Sequence, residues 1–78
     1  MRYAGIDVAA ASHVLAIVDD AGIVLLKPTL FTEDAAGYAR LLVYLGEPGG
    51  LTVVVEASGY CGRNLCGFLV ERGFPVAV

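Results

Sequence analysis

The C-terminal half of the chain contains two apolar segments on either side of a helix-forming stretch, and this order constrains the fold most. The segment Leu51 to Glu56 is dense in β-branched residues and lacks alternation, which predicts an interior strand covered on both faces. A helix is expected from Ser58 or Gly59 to about Arg72, and another apolar strand from Phe74 to Val78. A strand, a helix and a strand in this order predict a right-handed parallel crossover.

The N-terminal half predicts three neighbouring strands followed by a helix. The turn signal Asp19-Asp20-Ala21-Gly22 separates His13 to Asp19 from Ile23 to Lys27, which predicts an antiparallel hairpin. Pro28 is expected to end the third strand, and Thr32 to cap a helix that stops at Gly46. The expected order is therefore β-β-β-α-β-α-β, an α/β chain.

The first strand has two different faces. Ala4, Ile6 and Val8 lie on an apolar face, and Tyr3, Gly5 and Asp7 lie on the other.

Composition excludes several classes of protein. Hydrophobic residues make up 58% of the 78 residues and charged residues 17%, which excludes a disordered acidic tail. The apolar runs are far shorter than the ~20 residues that span a membrane. Asp7 and His13 interrupt any signal-peptide core, so we expect a mature, cytoplasmic chain with no membrane partner. With a net charge of -3, the chain lacks the excess of Lys and Arg that a self-sufficient nucleic-acid binder uses to neutralise phosphates. Because so short and apolar a chain has little interior, we expect a homo-oligomer.

Two acidic residues stand at the ends of apolar strands. Asp7 lies in Gly5-Ile6-Asp7-Val8-Ala9, and Glu56 lies in Val55-Glu56-Ala57-Ser58-Gly59. Such carboxylates need a positively charged group that offsets their desolvation and mutual repulsion. A divalent metal ion that prefers oxygen ligands, such as Mg²⁺, is one candidate. The alternative is that both carboxylates lie in water at strand ends or meet a base such as Arg63. The residues alone leave both interpretations open.

Three motifs of the chain carry a resemblance to a known family. They are Gly5-Ile6-Asp7-Val8-Ala9 with His13 following, then Val18-Asp19-Asp20-Ala21-Gly22, and, as the most specific, Glu56-Ala57-Ser58-Gly59-Tyr60-Cys61-Gly62-Arg63-Asn64-Leu65. Together they resemble the N-terminal part of DEDD transposases of the Piv/MooV and IS110 type. The resemblance implies that residues 1–78 are the N-terminal part of a RuvC-like nuclease domain. It also implies a ribonuclease-H-like mixed sheet of order 3-2-1-4-5 with an antiparallel second strand. One departure is Ala10, where members often have lysine.

The same resemblance implies a site-specific DNA recombinase. The family is named for four acidic residues, D, E, D and D, and the resemblance implies that Asp7 is the first D and Glu56 the E. It further implies that they bind Mg²⁺ or Mn²⁺ for phosphoryl transfer on DNA. The other two acidic residues, and a C-terminal domain that carries a serine, are expected beyond residue 78. The chain alone is therefore expected to be inactive. Some members resemble enzymes guided by an element-encoded RNA, and the implied location is cytoplasmic, at the nucleoid.

Four residues are candidates for contact with nucleic acid. His13 is a candidate phosphate contact or secondary metal ligand, and the alternative is a hydrogen-bonded strand residue. Ser58, with Gly59, is placed to present backbone N–H groups to a phosphate at a helix N-terminus, and helix capping explains it equally well. Tyr60 is a candidate for base stacking and Arg63 for a phosphate contact, with packing and helix-surface roles as alternatives.

Two other functions compete with this interpretation. A sugar-kinase or actin-like ATP-binding module shares the β-β-β-α-β-α start and an aspartate in the first strand. Its phosphate loop would hold Gly and Thr, whereas this chain has Val8-Ala9-Ala10-Ala11-Ser12, which disfavours close approach of ATP phosphates. The second competitor is a non-catalytic association module, whose exposed sheet edge and apolar face pair with another copy.

Overall fold

The computed structural model describes residues 1–57 and 62–78 and contains strands and helices in the predicted order. The elements are β1 (Arg2–Val8), β2 (Ser12–Asp19), β3 (Val24–Thr32), α1 (Ala35–Leu45), β4 (Leu51–Ala57), α2 (Arg63–Glu71) and β5 (Val76–Ala77). Within the described part of the chain, neither helix is long and apolar enough to cross a membrane.

The strands form one mixed sheet of order β3-β2-β1-β4-β5. Strand β2 is antiparallel to both β1 and β3, whereas β4 is parallel to both β1 and β5. This confirms the ribonuclease-H-like order 3-2-1-4-5 with an antiparallel second strand. Because β1 and β4 are parallel neighbours, their carboxyl ends meet at the same edge of the sheet.

One face of the sheet packs against both helices. Alternate strand residues are buried there together with leucines of α1 and α2, namely Ala4, Ile6, Val8, Leu15, Ile17, Val53, Val55, Leu41, Leu45, Leu65 and Leu69. This burial confirms the predicted faces of β1. The opposite face is open in the described residues, and Val54 of β4 is 45% exposed on it. The prediction that β4 is covered on both faces is therefore wrong for this part of the chain.

Strand β3 does not end at Pro28, as predicted, but continues to Thr32. It lies at the edge of the sheet, where a missing N–H breaks no ladder on the outer side. Its pairing with β2 is also irregular there. Leu15 pairs with Thr29 and Ile17 with Leu26, so β2 advances by two residues while β3 advances by three. One extra residue of β3 is thus accommodated beside the proline, as in a β-bulge.

Helix α1 begins two residues later than predicted. Its N-cap is Asp34, whose Oδ1 accepts a hydrogen bond from the Gly37 N–H at 2.7 Å. Thr32, the predicted cap, is the last residue of β3 and donates its hydroxyl to the same Asp34 oxygen at 2.7 Å. The predicted stop is confirmed, because Gly46 adopts a φ of 68° and its N–H donates to the Leu42 carbonyl at 3.0 Å.

The last two elements are shorter than expected. Helix α2 begins at Arg63, and the predicted first residues, Ser58 and Gly59, lie outside the described residues. Strand β5 contains only Val76–Ala77 of the segment predicted to be extended. Phe74, from the start of that segment, is buried in the core instead.

Candidate functional site

Asp7 and Glu56 occupy paired positions on the two central parallel strands. The register of β1 and β4 makes them Cα partners, one position before the last residue of each strand. In-register residues of neighbouring strands point to the same side of a sheet. Since Ile6, Val8 and Val55 are buried under the helices, both carboxylates lie on the open face, where both residues are exposed. The structure thus brings the two predicted metal ligands together.

Both acidic residues line a shallow concavity of ≈ 240 Å³ on that face. Its other walls are small or apolar, formed by Gly5, Ile6, Val14, Ala16, Pro28 and Val54. Within residues 1–57 and 62–78, the ion pairs are those of Met1 with Asp20 and of His13 with Glu33, so neither Asp7 nor Glu56 has a basic partner there. The concavity therefore presents two carboxylates without a neutralising side chain from the described residues.

Two exposed carboxylates fit one side of a hard divalent cation. Mg²⁺ takes oxygen ligands, keeps several water molecules and is commonly bound through one or two carboxylates together with substrate phosphate oxygens. The described residues contain no group of three or more His, Cys, Asp and Glu side chains that could hold a metal ion. Asp7 and Glu56 can accordingly supply part of a coordination shell, with the remaining ligands coming from elsewhere.

His13 lies on the opposite side of the sheet from this pair. Its side chain is 1% exposed, and it faces Val8 across the β1–β2 ladder. The ring Nδ1 accepts a hydrogen bond from the Ala9 N–H at 3.2 Å, and Nε2 lies 2.6 Å from Oε1 of Glu33. Since an accepting Nδ1 carries no hydrogen, a neutral ring protonated at Nε2 satisfies both contacts. A role as ligand or phosphate contact would require one of these bonds to break.

Glu33 is a half-buried partner that the sequence pattern does not identify. The Tyr38 hydroxyl donates to both of its carboxylate oxygens at 2.8 Å, beside the contact with His13. Desolvation works to raise the pKa of Glu33, but the hydrogen bonds from His13 and Tyr38 outweigh it and hold the pKa below its usual range. Burial and the bond to Glu33 raise the pKa of Tyr38 well above its ordinary value. Glu33 is therefore an anionic acceptor at neutral pH.

A second cavity of ≈ 320 Å³ adjoins this cluster on the side of the sheet that carries the helices. Its lining includes Ala9, Ala10, His13, Glu33, Gly62, Arg63 and Asn64. Two of the four predicted nucleic-acid contacts, His13 and Arg63, thus line one cavity, and neither lines the concavity of Asp7 and Glu56. The other two, Ser58 and Tyr60, lie outside the described residues.

Comparison with known proteins shows the family to which the chain belongs. Residues 4–78 match the family model of DEDD transposases of the IS110 type, which is described as transposase. A Streptomyces coelicolor protein, whose name assigns it to the IS117 mini-circle as its transposase, is 49% identical over a 61-residue alignment. That alignment covers 72% of this chain and only 14% of the relative. The family match spans almost every residue, and so the chain belongs to the IS110-type family of DEDD transposases.

Proposed function

We propose that Asp7 and Glu56 supply two carboxylate ligands to a Mg²⁺- or Mn²⁺-dependent DNA strand-transfer site of a transposase. The observation that carries the proposal is their in-register pairing on the open face of the sheet. Membership of a transposase family supplies the reaction class. The ATP-binding alternative has no comparable support, because the chain lacks a Gly- and Thr-bearing phosphate loop after Asp7.

The protein's own contribution is a rigid placement of negative oxygen donors. Two adjacent strands of a hydrogen-bonded sheet hold the Asp7 and Glu56 backbones in fixed register, so both side chains extend from fixed neighbouring positions on the same face. A bound divalent ion supplies Lewis-acid stabilisation of the charge that develops on phosphate oxygens during phosphoryl transfer. The small and apolar walls beside the pair leave the open face accessible to a DNA backbone.

The partners of the whole protein belong to the same proposal. The chain has a net charge of -3, so we propose that affinity for DNA comes from the metal ion and from other parts of the transposase. We place the other two acidic residues of the DEDD set in those other parts, in keeping with the small part of the IS117 relative that the chain spans. DNA, an element-encoded guide RNA and a second copy of the protein are the proposed partners.

Mn²⁺ binding to charge-removing variants tests the proposal. Isothermal titration of the wild type, Asp7→Asn, Glu56→Gln and the double variant compares side chains of almost the same shape. We expect each single change to weaken Mn²⁺ binding about ten-fold or more. The double variant should bind little worse than either single variant, because both groups hold one ion and their effects are not additive.

A matched control is available at the opposite end of β1. Asp20 is an exposed carboxylate whose partner is the N-terminal amine, at 3.1 Å. Asp20→Asn removes the same charge as Asp7→Asn and should leave Mn²⁺ affinity unchanged. Equal Mn²⁺ affinities for the wild type and Asp7→Asn, or an equal loss in Asp20→Asn, would contradict the proposal.

A further inference from the structure

The connection between β1 and β2 follows Asp7 closely and has no polar side chain of its own. It consists of Ala9, Ala10 and Ala11, so its shape depends on how its backbone groups are bonded. The Ala9 N–H donates to Nδ1 of His13 at 3.2 Å, and the Ala11 carbonyl accepts from the Glu33 N–H at 3.0 Å. The two ends of the connection are thus tied to a pair of residues that also bond each other.

The side chain of His13 is held in one orientation. Its Nε2 contacts Glu33 at 2.6 Å, and its ring centroid lies 5.0 Å from that of Phe31. The Tyr38 hydroxyl also donates to the Glu33 carboxylate. Burying a polar ring is unfavourable unless its hydrogen-bonding groups are satisfied, and here both nitrogens are. The acceptor offered to Ala9 therefore does not depend on a mobile side chain.

We infer that His13, oriented by Glu33, is a positioning residue for Asp7. It fixes the connection that follows Asp7 and, through it, the carboxyl end of β1 that carries the carboxylate. The inference rests on the proposed role of Asp7 as a metal ligand. His13 acts through the backbone, because its ring lies on the other face of the sheet and both ring nitrogens are bonded within the chain.

Two substitutions at His13 separate its two contacts. In His13→Asn the side-chain oxygen takes the place of Nδ1, so the acceptor for the Ala9 N–H is kept and the bond to Glu33 is lost. In His13→Gln the amide nitrogen takes the place of Nε2, so the bond to Glu33 is kept and the acceptor for Ala9 is lost. Both replacements are neutral and polar, which makes them matched controls for the general cost of altering a buried position.

The first readout needs no metal. Amide hydrogen exchange of Ala9 reports the connection, and that of Val53, which donates to the Pro75 carbonyl at 2.9 Å, reports another part of the sheet. We expect Ala9 exchange to accelerate about ten-fold in His13→Gln, less in His13→Asn, and Val53 exchange to stay unchanged in both. The carboxyl ¹³C resonance of Asp7 should shift in His13→Gln. Equal acceleration at Ala9 and Val53 in both variants, or an unmoved Asp7 resonance, would overturn the inference.

The second readout is Mn²⁺ affinity. We expect His13→Gln to weaken Mn²⁺ binding about five-fold and His13→Asn to weaken it less. Unchanged affinity in His13→Gln despite faster Ala9 exchange would overturn the inference, because the connection would then not position Asp7. Failure of the wild-type chain to bind Mn²⁺ would show instead that two carboxylates alone do not hold the ion, and the metal-free Asp7 resonance would still decide whether His13 positions that carboxylate.

Discussion

Asp7 and Glu56 face each other as partners in the parallel pairing of β1 with β4. Two carboxylates on neighbouring strands repel each other, and a positive group bound between them would offset this repulsion. The described residues offer no basic side chain to either group. A divalent cation is the simplest group that satisfies both carboxylates at once.

Gly37 is required by the contact between α1 and β3. It is buried, and a Cβ built on it would overlap the backbone carbonyl oxygen of Thr32. We expect Gly37→Ala to lower the free energy of unfolding by about 2 kcal/mol or more, although alanine is the better helix former. Gly67→Ala in α2 is the matched control, because Gly67 is exposed and its added Cβ would meet nothing within 4 Å. Urea unfolding curves that show the same change for both variants would refute this packing.

Glu33 should make stability depend on pH. Its pKa in the folded chain lies below the ordinary value of 4.5, so ionised Glu33 stabilises the fold above about pH 4.5. That stabilisation is lost as the pH falls through the folded pKa. We expect Glu33→Gln to lower the free energy of unfolding by about 1.5 kcal/mol at pH 7. The difference in free energy of unfolding between the wild type and Glu33→Gln should shrink below pH 4.5, as measured by urea unfolding from pH 7 to pH 3. A difference that stays constant over that range would rule out this role.

The chain alone is expected to leave DNA uncut. It contributes two of the four acidic residues that we propose for the strand-transfer site, and two carboxylates leave most of a metal's coordination shell unfilled. The measurement is incubation of supercoiled plasmid with the chain and Mg²⁺, followed by electrophoresis of the nicked form. Nicking by the wild type that disappears in Asp7→Ala would show that the chain carries a complete site.

The open face predicts self-association. Several large apolar side chains remain exposed among the described residues, and Leu30 of β3 is 61% exposed. We expect sedimentation equilibrium to show dimers or larger species as concentration rises, and Leu30→Lys to weaken them. Val70→Lys is the matched control, because Val70 is also 61% exposed but lies on α2. Monomer alone at high concentration, or equal effects of the two variants, would contradict association through the sheet.

The order of elements could be predicted from the sequence because hydrophobic periodicity and turn residues are local signals. The turn residues also predict that the first three strands are neighbours, whereas the pairing of β1 with β4 comes from the family resemblance, since periodicity does not report which distant strands pair. The error at Pro28 has the same origin, because a missing N–H interrupts a central strand and is harmless at an edge. Thr32 and Asp34 are both good cap residues, and the choice between them depends on where β3 ends.

Part of the candidate site could likewise be predicted from the sequence, and part could not. Asp7 and Glu56 are candidates because each lies near the end of an apolar strand, and the family resemblance predicts that the two strands are neighbours, which the structure confirms. The contact of His13 with Glu33 could not, since it forms only after β2 and β3 pair and the chain turns into α1. Neither residue carries a local pattern that indicates its partner.

Localisation of Mn²⁺ by paramagnetic broadening tests the proposed metal site most directly. In ¹⁵N-labelled chain titrated with substoichiometric Mn²⁺, the amide signals of Asp7 and Glu56 should broaden first and most. Asp7→Asn should remove this broadening, and Asp20→Asn should leave it unchanged. Broadening that centres on Asp20, or that persists in Asp7→Asn, would show that Asp7 and Glu56 do not hold the ion.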